Sequence, residues 1–172
     1  VDTLLSPEMK STGEAMGVGL TFAEAFIKSQ MACGIRLPKS GRVFISVKDS
    51  DKLDAVELAQ SLVKLKFIIV ATRGTAKAMA EAGIPVTAVN KVKEGRPHIV
   101  DMIKNGEISL IVNTVEDKGA VKDSLSIRSA ALQHKVVYYT TMAGAKAASL
   151  GMQHFKELDV YSLQGLHQQL AN

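Results

Sequence analysis

The segment Ala71-Thr-Arg-Gly-Thr75 has the residue types that a bound phosphate needs. If it opens a helix, free backbone amides and the positive end of the helix dipole face the anion, and Gly74 lets it come close. Lys52 and Lys91 are cations of the kind that add charge-assisted hydrogen bonds to such an anion. The same Thr-x-Gly-Thr pattern also reads as a plain capping turn, and Asn113-Thr114 as a loop closure, so both readings stand at this point.

Other chemistry is thinly supplied. The chain has no G-x-x-x-x-G-K-S/T phosphate loop, no H-E-x-x-H zinc motif and no G-x-S-x-G nucleophile elbow. Gly17-Val-Gly19 is only a fragment of a dinucleotide fingerprint, because the third glycine and a preceding strand are missing. His98 and Asp101, three residues apart on an expected helix, read either as an acid/base pair or as a local hydrogen bond, and the second is favoured. The single cysteine, Cys33, excludes an intramolecular disulfide framework and reads as a packed or idle thiol.

Those groups need a scaffold that gathers them. Five apolar runs rich in β-branched residues have strand length: Val43 to Val47, Phe67 to Ala71, Pro85 to Val89, Ile108 to Asn113 and Lys135 to Tyr139. They are almost continuously hydrophobic, as burial on both faces of a parallel sheet demands. Between them Lys52 to Lys64 places Ala55, Leu58, Ala59, Leu62 and Leu65 on one helical face, and Thr75 to Glu81, Pro97 to Asn105 and Asp123 to His134 read as further helices. The alternation predicts an α/β fold, a three-layer sandwich around a five-stranded, mostly parallel sheet. Thr141 to Leu150 and Leu163 to Leu170 are expected to close it, with a short extended piece near Val160.

In such a sheet ligands bind beyond the carboxyl ends of the strands. Those ends carry Ser46 leading to Lys48 and Lys52, then Ala71 to Thr75, Asn90 and Lys91, Asn113 and Thr114, and Thr140 and Thr141. All five converge on hydroxyls, amides and ammonium groups.

Residues 1–39 read differently, as a tail from another structural unit, with the α/β domain over 40–172. Within the tail, Thr21-Phe-Ala-Glu24 is a capping box that predicts a helix from Phe22 to about Ala32. The whole chain has 172 residues, 47% of them hydrophobic and 22% charged, which suits one globular domain with an appendage and is too apolar for disorder. Its formal charge of +4 is scattered and its aromatic content is 5%, so a nucleic-acid partner is not expected. No apolar run approaches membrane-spanning length and no signal peptide is evident, so a cytoplasmic protein is expected.

Glu8-Met-Lys-Ser-Thr-Gly-Glu-Ala-Met-Gly17 and Thr21-Phe-Ala-Glu-Ala-Phe26 closely resemble the end of the second synthetase half of the carbamoyl-phosphate synthase large chain. Ala71 to Thr75, Asn90-Lys-Val-Lys-Glu-Gly-Arg-Pro-His-Ile99, Ile103-Lys-Asn-Gly-Glu107 and Asn113-Thr114 are similar to its carboxyl-terminal regulatory domain. The similarity is collinear over essentially the whole chain.

The resemblance implies a methylglyoxal-synthase-like fold and an allosteric domain that binds UMP- and IMP-type nucleotides, with ornithine near its boundary with the synthetase half. It implies phosphate contacts at Lys52, Thr72, Thr75 and Lys91, and ribose or base contacts at Ser46, Val92, Asn113, Thr114, Asp123, Ser124 and Ile127. Thr140 matches the ornithine-linked position. The parent enzyme makes carbamoyl phosphate for arginine and pyrimidine synthesis, so the implied partners are the rest of the large chain and, through the holoenzyme, the glutaminase small subunit. Oligomer contacts stay open. ATP, Mg²⁺ and K⁺ belong to synthetase domains outside these residues, so no cofactor or metal and no catalysis is expected here.

Val115, Lys118 and Gly119 depart from the bacterial pattern of a threonine followed by paired arginines, which puts the choice between nucleotides in question. The alternatives are a methylglyoxal-synthase-like lyase and a scaffold domain with a decayed pocket. The lyase needs a carboxylate base, and Gly95-Arg-Pro-His98 stands where that family presents Gly-Gly-Asp.

Overall fold

The computed structural model describes residues 22–114 and 118–170, the side chains of residues 22–24, 27, 118, 119 and 157–170 excepted. The chain falls into two compact units, Pro38–Ser149 and a second made of Val1–Leu37 with Leu150–Asn172. In the second unit, helix α1 spans Phe22–Ala32, with the bounds its capping pattern predicts. Two residues beyond its end, Gly34 has a φ of +78° that lets the chain turn while the Gly34 and Ile35 amides return to the Met31 and Gln30 carbonyls. The Thr21 cap and the motif over 8–17 lie outside the described residues.

The larger unit carries strands β1 (Arg42–Ser46), β2 (Ile68–Thr72), β3 (Val86–Val89), β4 (Leu110–Asn113) and β5 (Val137–Tyr139). Helices α2 (Lys52–Lys64), α3 (Arg73–Glu81), α4 (Ile99–Lys104), α5 (Lys118–Gln133) and α6 (Met142–Leu170) connect and follow them. The sheet has five strands in the order β3-β2-β1-β4-β5, and every pairing is parallel. Each parallel pair needs a crossover, which is why helices alternate with strands.

Burial explains the continuous apolar runs. All four residues of β4 are buried, as are Val43, Phe44 and Ile45 of β1, because both strands are covered on both faces. Phe44, Val70 and Ile111 stand side by side in the ladder and form one core with Ile99, Val100 and Ile103 of α4 and Ile127, Ala130 and Ala131 of α5. The alternate residues of the same strands, among them Val43, Ile45, Ile69, Leu110 and Val112, point to the opposite face and are equally buried. Helices α2 and α3 pack together away from that cluster, and Lys146 at the start of α6 reaches Asp54 of α2 at 2.8 Å.

The expected extended piece near Val160 is absent, because α6 continues unbroken to Leu170. A short β-branched and aromatic patch does not outweigh helix already propagating from the alanine-rich start of α6. Helix α3 starts two residues before the expected Thr75, since Thr72 is the last extended residue and Arg73 is already helical. No helix among the described residues is long and apolar enough to cross a membrane.

Gly41 enters β1 with φ +120°, and a Cβ there would collide with the Ser109 side chain. Gly41→Ala is therefore expected to destabilise the domain by about 1–3 kcal/mol. Denaturant unfolding checks it, and Ser109→Ala in the same background recovers part of the loss while leaving the φ penalty in place.

Candidate functional site

Strand β1 sends the chain towards β2 on one side and is joined by β4 on the other, so the loops after β1 and β4 diverge above the sheet. At this switch in strand order lies a cleft of about 210 Å³, lined in part by Ser46, Lys52, Thr72, Thr75, Lys91 and Asn113. Register builds its floor: Ser46 and Asn113 are ladder partners at the carboxyl ends of β1 and β4. The Thr114 amide donates to the Ser46 carbonyl at 3.0 Å, and the Lys48 amide to Thr114 Oγ1 at 3.0 Å.

The threonines of the second strand end are turned inward. Thr72 Oγ1 lies 3.2 Å from Ser46 Oγ and 3.4 Å from Thr75 Oγ1, and Thr75 Oγ1 accepts the Val47 amide at 3.3 Å. Thr72 occupies the N-cap of α3, yet its side chain makes no capping bond. The capping-turn reading of Thr-x-Gly-Thr thus fails in its detail, and among the described residues the first turn of α3 has no side-chain cap. Gly74 sits where a Cβ would be 3.4 Å from Lys52 Nζ, which brings that ammonium against the same turn.

Asn113 ties the far wall. Its Nδ2 donates to Ser124 Oγ of α5 at 2.9 Å and to Tyr138 Oη of β5 at 2.8 Å. Asp123 and Ile127, on the same helix as Ser124, also line the cleft. Asp123 Oδ2 is buried and has no hydrogen-bond partner among the described residues.

The third wall is the loop after β3. Asn90 accepts from Arg73 Nη2 at 3.2 Å and donates Nδ2 to the carbonyls of Gly95 and Pro97 at 3.4 and 3.2 Å. Glu94 accepts the Lys91 amide at 2.7 Å, closing a single 3-10 turn over Val92–Glu94. Lys91 and Lys93 face the cleft from this turn, whereas Val92 packs on the apolar cluster of α4 and α5. With about three residues per turn, neighbours cannot share a face.

Of the residues singled out from the sequence, Ser46, Lys52, Thr72, Thr75, Lys91, Asn113, Thr114, Asp123, Ser124 and Ile127 surround this one cleft. Val92 and Thr140 do not; Thr140 is exposed beyond the carboxyl end of the edge strand β5. Val115 lies outside the described residues, as do the side chains of Lys118 and Gly119. Asp49, Lys93 and Ala120 line the cleft without having been singled out. The signal for the first two was present, since Asp49 follows Lys48 and Lys93 stands two residues after Lys91.

His98 and Asp101 take the bland role. The His98 amide donates to Asp101 Oδ2 at 3.0 Å in a capping box at the start of α4, and Arg96 Nη2 reaches Oδ1 at 2.8 Å. The His98 amide bond, aided by the Arg96 charge, holds the Asp101 carboxyl below its ordinary range.

Residues 54–140 match the family model for the MGS-like domain. The chain belongs to the MGS-like domain family. This MGS-like chain is 61% identical over 171 residues to the carbamoyl phosphate synthase large chain of Ralstonia nicotianae, covering 99% of this chain and 16% of that one. It is 52% identical over 171 residues to the carbamoyl phosphate synthase large chain of Pasteurella multocida, again at 99% and 16% coverage. The MGS-like chain therefore spans 16% of the length of these relatives. Its fold is similar to that of methylglyoxal synthase from Elizabethkingia anophelis, with a TM-score of 0.53, 21% identity, and coverage of 66% of this chain and 79% of the other.

Burial of Tyr139 pushes its phenol up to about 12, and burial also raises Tyr138, partly opposed by the Asn113 hydrogen bond and the Arg128 charge. Unfolded tyrosines ionise near 10, so between about pH 10 and 12 the folded form keeps protons that the unfolded chain has released. The stability these phenols contribute is fully present below about pH 10 and falls as pH rises through the folded values. Urea unfolding across this alkaline range is expected to show the loss, with a flatter limb in Tyr139→Phe.

Proposed function

We propose that this chain is the allosteric, nucleotide-binding domain of an ATP-dependent, glutamine-hydrolysing carbamoyl phosphate synthase large chain, cytoplasmic and serving arginine and pyrimidine synthesis. The observation that carries the reading is the cleft at the switch in strand order, where Lys52, Lys91 and the uncapped first turn of α3 come together. Sixty-one per cent identity to the Ralstonia large chain supplies the parent.

The phosphate of a UMP- or IMP-type effector lies against Lys52, Lys91 and the turn from Thr72 to Thr75. Ribose and base extend over Ser46, Asn113 and Thr114 towards Asp123, Ser124 and Ile127 of the opposite wall. Ornithine acts at the boundary near Thr140, and ATP, Mg²⁺ and K⁺ belong to the rest of the large chain. Regulation is a differential affinity: a nucleotide that binds one state of the holoenzyme better shifts the equilibrium by a coupling on the order of 1–3 kcal/mol, and substrates alter nucleotide affinity by the same factor.

A second reading has one observation in its favour. A lyase acting on dihydroxyacetone phosphate would use the same phosphate cradle with a carboxylate base, and Asp123 offers a buried, unpartnered Oδ2 in the cleft. Release of methylglyoxal by the pure chain would select it.

Thermal unfolding with UMP, IMP, UTP, ornithine and inorganic phosphate tests the regulatory reading. A nucleotide at about 100 times its dissociation constant stabilises by about 2.7 kcal/mol. At this chain length that raises the midpoint by about 5–10 °C. The expected result is a rise with one nucleotide that Lys91→Ala abolishes; no rise with any of them overturns it.

A further inference from the structure

The 3-10 turn Asp49–Asp51 carries the chain from β1 into α2, whose first residue is Lys52. Across this turn Lys52 Nζ donates to Asp49 Oδ1 at 2.5 Å. Both residues line the cleft, and the ammonium lies beside Gly74 at the uncapped start of α3. The cation best placed to meet an anion at that helix end is therefore already paired with a carboxylate of the chain itself.

We propose that Asp49 is a specificity-determining residue, a tethered carboxylate that holds Lys52 while the cleft is empty and must be displaced when phosphate binds. The inference rests on the reading of the cleft as a phosphate site, and deepens it. Asp49 is 85% exposed and Lys52 30% exposed, so the carboxylate can swing into water at little cost. Exposed pairs of this kind are weak, which makes the latch reversible. The Lys52 hydrogen bond and charge hold the Asp49 carboxyl below its ordinary range, so it stays ionised at neutral pH.

Selectivity follows from what each competitor offers. A free carboxylate exchanges like for like, and it competes with one held by a three-residue tether at high effective concentration. A phosphate dianion brings more charge and further acceptor oxygens, which reach Lys91 and the α3 amides as well. Among the described residues, four lysines line the cleft, Lys48, Lys52, Lys91 and Lys93, against two aspartates, Asp49 and Asp123, a balance that still favours an anion.

Calorimetric titration of the full chain with inorganic phosphate, and separately with acetate, tests this in wild type, Asp49→Asn, Asp51→Asn, Lys52→Met and Asp49→Asn/Lys52→Met. Asp51 lies in the same turn and outside the cleft lining, so its variant removes the same charge without touching the latch. The expected result is phosphate bound about two- to five-fold tighter by Asp49→Asn, and a narrower preference for phosphate over acetate. Asp51→Asn should leave both unchanged, and the gain should vanish once Lys52 is Met. The proposal is overturned by an equal gain in Asp51→Asn, by a gain that survives Lys52→Met, or by phosphate binding that Asp49→Asn leaves unchanged or weakens. Absence of phosphate binding in wild type and every variant instead removes the phosphate site itself, and the latch with it.

Discussion

Everything at the cleft depends on β1 being paired on both sides by parallel strands. That position buries Val43, Phe44 and Ile45 completely, so polar chemistry can begin only where the strand ends, at Ser46. The Ser46–Asn113 pairing sets which side chains of β4 and its loop stand opposite that end. A slip of one residue would break the Ser46–Asn113 pairing, so the two polar side chains would no longer stand together at the strand ends. Two hydrogen bonds beyond the ladder, from the Thr114 and Lys48 amides, extend the same register into the loops.

The hydroxyls and amides around the cleft are mostly engaged in holding it. Thr72, Thr75 and Ser46 join the ends of β1 and β2, while Asn113 joins β4 to α5 and β5 through Ser124 and Tyr138. Buried polar groups must find such partners, and here they find them in neighbouring strands. What the cleft offers an anion is chiefly ammonium charge and backbone amide, with the unpartnered Asp123 Oδ2 on the opposite wall. The Thr-x-Gly-Thr motif thus acts indirectly: its threonines fasten strands, and its glycine gives Lys52 room beside the helix end.

The strands, the bounds of α1 and α2 and the meeting of four of the five strand ends at one cleft are legible in the sequence because each depends on local pattern, whereas the β5 end at Thr140 and Thr141 stays outside it. A parallel sheet buried on both faces needs continuous apolar runs, and Ala55, Leu58, Ala59 and Leu62 recur at the helical spacing of α2. Val160 misleads because a β-branched neighbourhood of a few residues says nothing about the helix arriving from upstream. Val92 and Lys93 require the phase of a 3-10 turn that forms through Asn90 and Glu94. Asp49 is legible as a residue after a strand end, but its pairing with Lys52 exists only once the turn Asp49–Asp51 has folded.

The loop after β3 differs from the other walls in what holds it. Residues 93–97 are exposed, and the segment is fastened by side-chain bonds from Asn90, Glu94 and Arg96 rather than by burial. Segments secured in this way lie at the low-stability end of a fold. Yet the same turn presents Lys91 and Lys93 to the cleft and sets Val92 on the cluster that α4 and α5 share with the sheet. The turn cannot shift as a unit without moving Val92 against close-packed side chains, and packed cores resist continuous deformation. The turn thus has one side in solvent and the other against the core.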